Sequence, residues 1–227
     1  EEFSEIDAED EGATQAYLNA LAMFEGVPES SANYESAIVF AGRANLGAGR
    51  LDEALAKFEL VEQRAADPSL EPTNARGRSK REGALAQARY WRATLLLDDR
   101  VHRPEEAIEV LTDFEEDLPS QAATHNLAKF RRVEAYAMLD DPDAAVEALN
   151  ELIDAGGPAS FLVKGAFDVA RMLELRSREL RETDPAAADQ MLERAAGIMW
   201  TQVEADGFSR LGNLLSCADW YLESGRP

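Results

Sequence analysis

Gly42-Arg43-Ala44-Asn45-Leu46-Gly47-Ala48-Gly49-Arg50-Leu51-Asp52-Glu53-Ala54-Leu55-Ala56-Lys57-Phe58-Glu59-Leu60-Val61 decides how the rest of the chain reads. It is the end of one helix, a glycine-marked turn, and a second helix folding back on the first. Ala54, Leu55, Phe58 and Val61 fall at i, i+1, i+4 and i+7, which gives the second helix a single apolar stripe. Gly47 and Gly49 free the backbone at the turn, and Asp52 and Glu53 stand where a helix N-terminus favours negative charge.

Other stretches restate the unit with different residues. In Leu139 to Leu149, Asp141 suits an N-cap and Pro142 the first helical position. Pro104 to Leu111 and Asp184 to Leu192 read as further second helices. In chain order the expected helices are 14–25, 31–48, 51–66, 81–97, 104–118, 125–139, 142–155, 161–182, 185–206 and 208–222. Thr73 to Arg81 carries four bases and no acid, and is expected to be a linker. Residues 1–12 form an acidic, poorly ordered segment, with seven acids and no base from Glu1 to Glu11. No strand signal is visible, so the expected fold is all-α, with about ten helices over 13–227.

Taking Ala16, Ala54, Ala107, Ala145 and Ala188 as equivalent, the intervals are 38, 53, 38 and 43 residues. Helix pairs recurring at this period are the signature of an α-solenoid. Repeat units then span 31–68, 81–119, 125–158 and 161–206, with half-repeats at 13–28 and 207–227. Within them Gly42, Ala54, Phe58 and Pro68 recur in role as Val133, Tyr136, Ala145 and Pro158. These positions resemble the tetratricopeptide repeat, with its small first-helix residue, aromatic, second-helix Ala and closing Pro. Val133 is larger than that motif prefers, and the unit around Ala188 lacks the small first-helix residue. Armadillo-like and other helical-hairpin arrays share the periodicity.

The formal charge of −21 argues against a nucleic-acid partner, because neutralising phosphates needs a basic footprint. No run reaches the 18 or so apolar residues of a membrane span. Cys217 stands alone, which excludes an internal disulfide framework. The compartment stays open, the cytoplasm being the default expectation. His102 and His125 sit at different helix ends without ligand-spaced partners, and both read as surface residues. Gly47-Ala48-Gly49 follows a helix and lacks the third glycine of a dinucleotide site. No nucleophile–base set can be assembled, so neither an enzyme nor a cofactor or metal site is expected.

Charge is distributed unevenly. The first helices of the pairs sum to +4 and the second helices to −17. The resemblance implies that first helices line a concave groove, which would be mildly basic inside an acidic arc. Arg43, Arg89, Arg92, Phe130 and Arg131 are then the peptide-binding residues, with arginine forks for carboxylates and Phe130 as an apolar anchor. The best-known groove of that family clamps acidic chaperone C-termini with Lys and Asn. Val39 and Phe130 stand where the lysine is sought, and Arg43 and Glu134 where the asparagine is, so a chaperone co-factor is not expected. The expected function is a protein–protein interaction scaffold whose partner is a protein or peptide of acidic character. Two alternatives are an architectural segment of a larger repeat protein and the helical regulatory part of an enzyme. The chain starts at Glu1 and ends in Ser224-Gly225-Arg226-Pro227, as a piece cut from a longer array would. The last helix, with apolar residues on more than one face, is expected to leave a patch near Trp220 or Leu222 open to self-association.

Overall fold

The computed structural model describes residues 11–205 and 211–224, with the side chains of 12–201 and 215–224. The acidic segment 1–10, residues 206–210 and the last three residues lie outside the described part, as do the side chains of Leu211 and Leu214. The fold is all-α, and the described residues contain no strand. The helices are α1 (Glu11–Glu25), α2 (Tyr34–Gly47), α3 (Leu51–Ala66), α4 (Ala75–Leu96), α5 (Pro104–Leu111), the single turn α6 (Phe114–Asp117), α7 (Ala122–Met138), α8 (Pro142–Asp154), α9 (Ala159–Leu180), α10 (Pro185–Ala205) and α11 (Leu211–Glu223). A 3-10 turn at Pro68–Leu70 follows α3. The chain divides into two compact units, 1–128 and 129–227.

In the first unit α2 packs against α1, α3 and α4, and α4 packs against α3 and α5. Its main core gathers Ile38 and Val39 of α2, Ala54, Phe58 and Val61 of α3, and Ala84, Ala88 and Leu95 of α4. The hairpin contact is set by Gly42. A Cβ there would lie 2.6 Å from Cε1 of Phe58. Hydrogen at that position lets the fully buried Phe58 ring lie flat against the α2 backbone. Truncating Phe58 to Ala would remove about 3–5 kcal/mol, the usual cost of a large core deletion. Gly47 makes a similar approach to the ring of Tyr17 on α1, 2.5 Å from a built Cβ.

In the second unit α8 packs on α9, α9 on α10, and α10 on α11. Phe130 and Val133 of α7 join Ala145, Leu149, Val169, Leu173, Leu192, Met199 and Trp220 in one core. Ala54, Ala107, Ala145 and Ala188 are all fully buried, as their place at helix crossings requires. Ala16, aligned with them by spacing, is exposed.

Three of the four helix-pair turns, those between α2 and α3, α4 and α5, and α7 and α8, share one backbone device. Gly49 (φ 74°), His102 (φ 50°) and Asp140 (φ 53°) are each left-handed between the two helices of a pair. After Gly49 and Asp140, the N–H of Arg50 donates to Asn45 O at 2.8 Å and that of Asp141 to Tyr136 O at 3.2 Å, the six-residue closure of a Schellman motif. Gly49 is legible as a turn. His102 and Asp140 do the same task with side chains that sequence does not flag.

Two expected boundaries are corrected. The basic stretch 73–81 is helix from Ala75 onward. Asn74 caps it, its Oδ1 accepting from the N–H of Gly77 at 2.8 Å. The stretch is docked rather than free: buried Arg81 donates to Leu70 O and, at 3.3 Å, to Glu35, while Lys80 reaches Asn33 at 2.6 Å. The helix expected over 104–118 breaks at Asp113, whose φ is 55°. That break re-aims Phe114 and Leu118 into the core, where Phe114 meets the edge of His125. Burying a phenylalanine is worth about 2–3 kcal/mol, more than the roughly 1–2 kcal/mol of a left-handed residue. Glu115, Glu116 and Asp117 consequently occupy the first turn of α6 instead of the C-terminal end of a long helix, where the dipole would oppose them.

Candidate interaction surface

In the first unit α1, α2 and α4 bring three aromatic rings and one guanidinium together. Phe24 stacks on Phe40 with ring centroids 5.3 Å apart. The Arg43 guanidinium lies over the Phe40 ring at 5.6 Å and over the Trp91 ring at 4.7 Å. Phe40 and Arg43 are three apart on α2 and so share a face, which Trp91 of α4 closes. Phe40 is 44% exposed although its neighbours Val39 and Ala41 are buried. Among the described residues no carboxylate lies within ion-pair reach of Arg43, although 44 of the chain's residues are acidic. Each cation–π contact contributes about 0.5–1 kcal/mol and fixes the plane of the fork.

Arg89 and Arg92 face a different neighbourhood. Arg92 donates to Glu62 and Glu106 at 2.9 Å each, and Glu59 stands 3.4 Å away. Arg89 pairs with Asp117 at 2.7 Å. Both arginines line a cleft of about 640 Å³ with Glu62, His102, Arg103, Glu105, Glu106, Glu109 and Val110. Burial would lower the affinity of Arg92 for its proton, but Glu62, Glu106 and Glu59 outweigh it and hold the pKa above the usual value. For Glu62 burial wins over Arg92, so its pKa is raised. Glu62 Oε2 accepts from Arg92, while buried Oε1 has no hydrogen-bond partner. These arginines are therefore engaged by carboxylates of α3, α5 and α6. Arg43 does not line this cleft.

In the second unit Phe130 is buried and stacks on Phe161 at 4.9 Å. Arg131 lies over its ring at 5.6 Å and pairs with Glu134. Lys164 of α9 also covers the ring, at 5.0 Å, and pairs with Glu134 and Asp168. Phe130 and Arg131 are thus neighbours, as expected, but Phe130 is core rather than an open anchor. Val39 is buried as well, so neither position expected for a clamping lysine offers a charge to the surface.

His125 is only partly exposed and its Nε2 lies 3.0 Å from Leu118 O, whereas His102 is exposed. Burial raises the pKa of the Cys217 thiol. Among the described residues no cluster of His, Cys, Asp and Glu could hold a metal ion, and no helix is long and apolar enough to cross a membrane. Sequence reasoning did not single out Phe40 or Phe167, which are exposed, whereas Trp91, which reads as packing, is partly buried against the first-unit core. Comparison with known protein families, curated proteins and solved structures returns no match.

Proposed function

We propose that the chain is a tetratricopeptide-like array of helical hairpins acting as a non-enzymatic interaction scaffold. Its first-helix faces receive an extended segment of a partner that carries a carboxylate next to an apolar side chain. The observation that carries this reading is Arg43, held between Phe40 and Trp91 with no carboxylate of its own. A planar guanidinium fork grips a carboxylate with two hydrogen bonds, and the exposed Phe40 offers apolar surface beside it. Of seven large hydrophobics exposed among the described residues, Phe40, Phe167, Leu175, Leu215 and Leu222 lie on the first helices α2, α9 and α11, while Met23 and Trp200 lie on α1 and α10.

Acidic and basic peptide pools titrated against the full chain at low and high salt test the proposal. The acidic pool binds preferentially, binding weakens as salt rises, and Arg43→Glu or Phe40→Ala reduces the preference. Preference for the basic pool, unchanged in Arg43→Glu, overturns it and assigns binding to the acidic helices.

A second reading, an architectural segment that associates with itself, is favoured by α11. Leu215 and Leu222, seven residues apart, share one exposed face, while Trp220 between them is buried. Sedimentation velocity of Leu215→Ser/Leu222→Ser against the unaltered chain separates the two readings. Only the architectural one expects a loss of oligomers.

A further inference from the structure

Helix α9 of the second unit carries an outward ridge of alternating charged and apolar side chains. Lys164, Phe167, Arg171, Leu175 and Arg178 follow one another at steps of three or four residues, and all five are exposed. They therefore form one continuous stripe along about four turns, roughly 21 Å from Lys164 to Arg178. The cations repeat every seven residues. The two apolar side chains, 45% and 47% exposed, fill the intervals between them.

Behind the ridge sits Glu174, only 6% exposed. Its carboxylate takes Nη1 of Arg171 on one oxygen and Nη2 of Arg178, at 2.5 Å, on the other. Each arginine is thus tied at one nitrogen while its side chain stays 51% or 65% exposed. One buried acid fixes two outward forks a heptad apart, so less side-chain freedom is lost when they meet a ligand. Lys164 is held likewise by Glu134 and Asp168 with its side chain 56% exposed.

We infer that the α9 ridge is a docking site for an amphipathic helix of a partner, with acidic residues at heptad spacing and leucine-like residues between them. A helix fits better than an extended strand because the cations recur at seven, the interval at which a straight helix returns to the same face. Acidity follows from charge complementarity where Arg171 and Arg178, both exposed, share the single buried carboxylate of Glu174; Lys164 is balanced by Glu134 and Asp168. This site is independent of the Arg43 cluster in the first unit.

The probe is a fluorescein-labelled helical peptide with glutamates at the spacing of Lys164, Arg171 and Arg178 and leucines between them. Its control has lysine for each glutamate. Anisotropy against the full chain shows binding of the acidic peptide alone. Phe167→Ser/Leu175→Ser weakens it about tenfold or more, the loss of two apolar contacts. Arg171→Gln/Glu174→Gln/Arg178→Gln, which removes the buried acid together with its partners, does the same with helix content unchanged. Arg43→Glu leaves it unaltered, so this inference can fail while the first-unit reading stands, and the reverse. Equal binding of both peptides, or acidic-peptide binding indifferent to the Phe167/Leu175 variant, overturns the inference.

Discussion

Glu62 is a residue at which burial outweighs the charge that faces it. Three glutamates surround Arg92; Glu62 places one oxygen on the guanidinium and leaves the other buried without a hydrogen-bond partner. Its pKa stands above the ordinary 4.5 because burial penalises the carboxylate more than Arg92 supports it. In the window from 4.5 up to the raised value, the folded chain holds a proton that the unfolded chain has lost. Stability from this group therefore falls as pH rises through that window and is level above it. Glu62→Gln removes the titration and keeps an oxygen acceptor for Arg92, which retains Glu59 and Glu106 as counter-charges. Melting curves should show the variant gaining on the unaltered protein between pH 4 and pH 7. A constant difference across that range would mean that Glu62 titrates as an exposed acid.

At the scale of helices, two buried glycines on first helices make opposite forecasts. Gly42 of α2 has the Phe58 ring within 2.6 Å of a built Cβ, whereas Gly165 of α9 has its nearest atoms, on Leu149 and Val133, at 3.4 Å. Phe58 is fully buried and cannot step aside without moving α3. Gly42→Ala is expected to cost about 1–3 kcal/mol through overpacking. Gly165→Ala meets ordinary contact distances and should gain up to about 1 kcal/mol from helix propensity. Denaturant titration of both variants decides it, and a destabilised Gly165→Ala would show that α9 and α8 are in tighter contact than 3.4 Å implies. The pairs themselves are legible because Ala54, Ala107, Ala145 and Ala188 repeat on apolar stripes, and all four are buried. What escapes reading depends on the partner element. Asn74 looks like linker until Gly77 and the anchored Arg81 make it a cap. Asp113 looks helical until the core demands Phe114 at another angle. The arginines divide for the same reason: the sequence places Arg43, Arg89 and Arg92 on first helices, but only packing decides that acids engage the last two.

Over the whole molecule the excess of 21 negative charges sets a tension between attraction and repulsion. The observed ion pairs, such as Lys57–Glu25 at 2.8 Å, Arg132–Glu151 at 3.0 Å and Arg194–Asp143 at 2.9 Å, are largely exposed. Pairs of this kind contribute about 0–1 kcal/mol each, and salt takes little from them. The acids outnumber the bases by 21, and Glu105 and Glu109, exposed four residues apart on α5, repel directly. Their repulsion acts over a screening length of about 30 Å at 0.01 M salt and only about 8 Å at 0.15 M. Folding concentrates those charges, so low salt should disfavour the native state more than it strengthens the pairs. Raising sodium chloride from 0.01 to 0.15 M is expected to lift the melting temperature by a few degrees, since about 1 kcal/mol corresponds to roughly 2–4 °C at this size. The same addition should weaken acidic-peptide binding at Arg43, because there the charges attract. Stability rising while affinity falls, in one salt series, is the signature of a molecule whose surplus acids repel while its open cation recruits. A melting temperature that drops with salt would show instead that the ion pairs dominate.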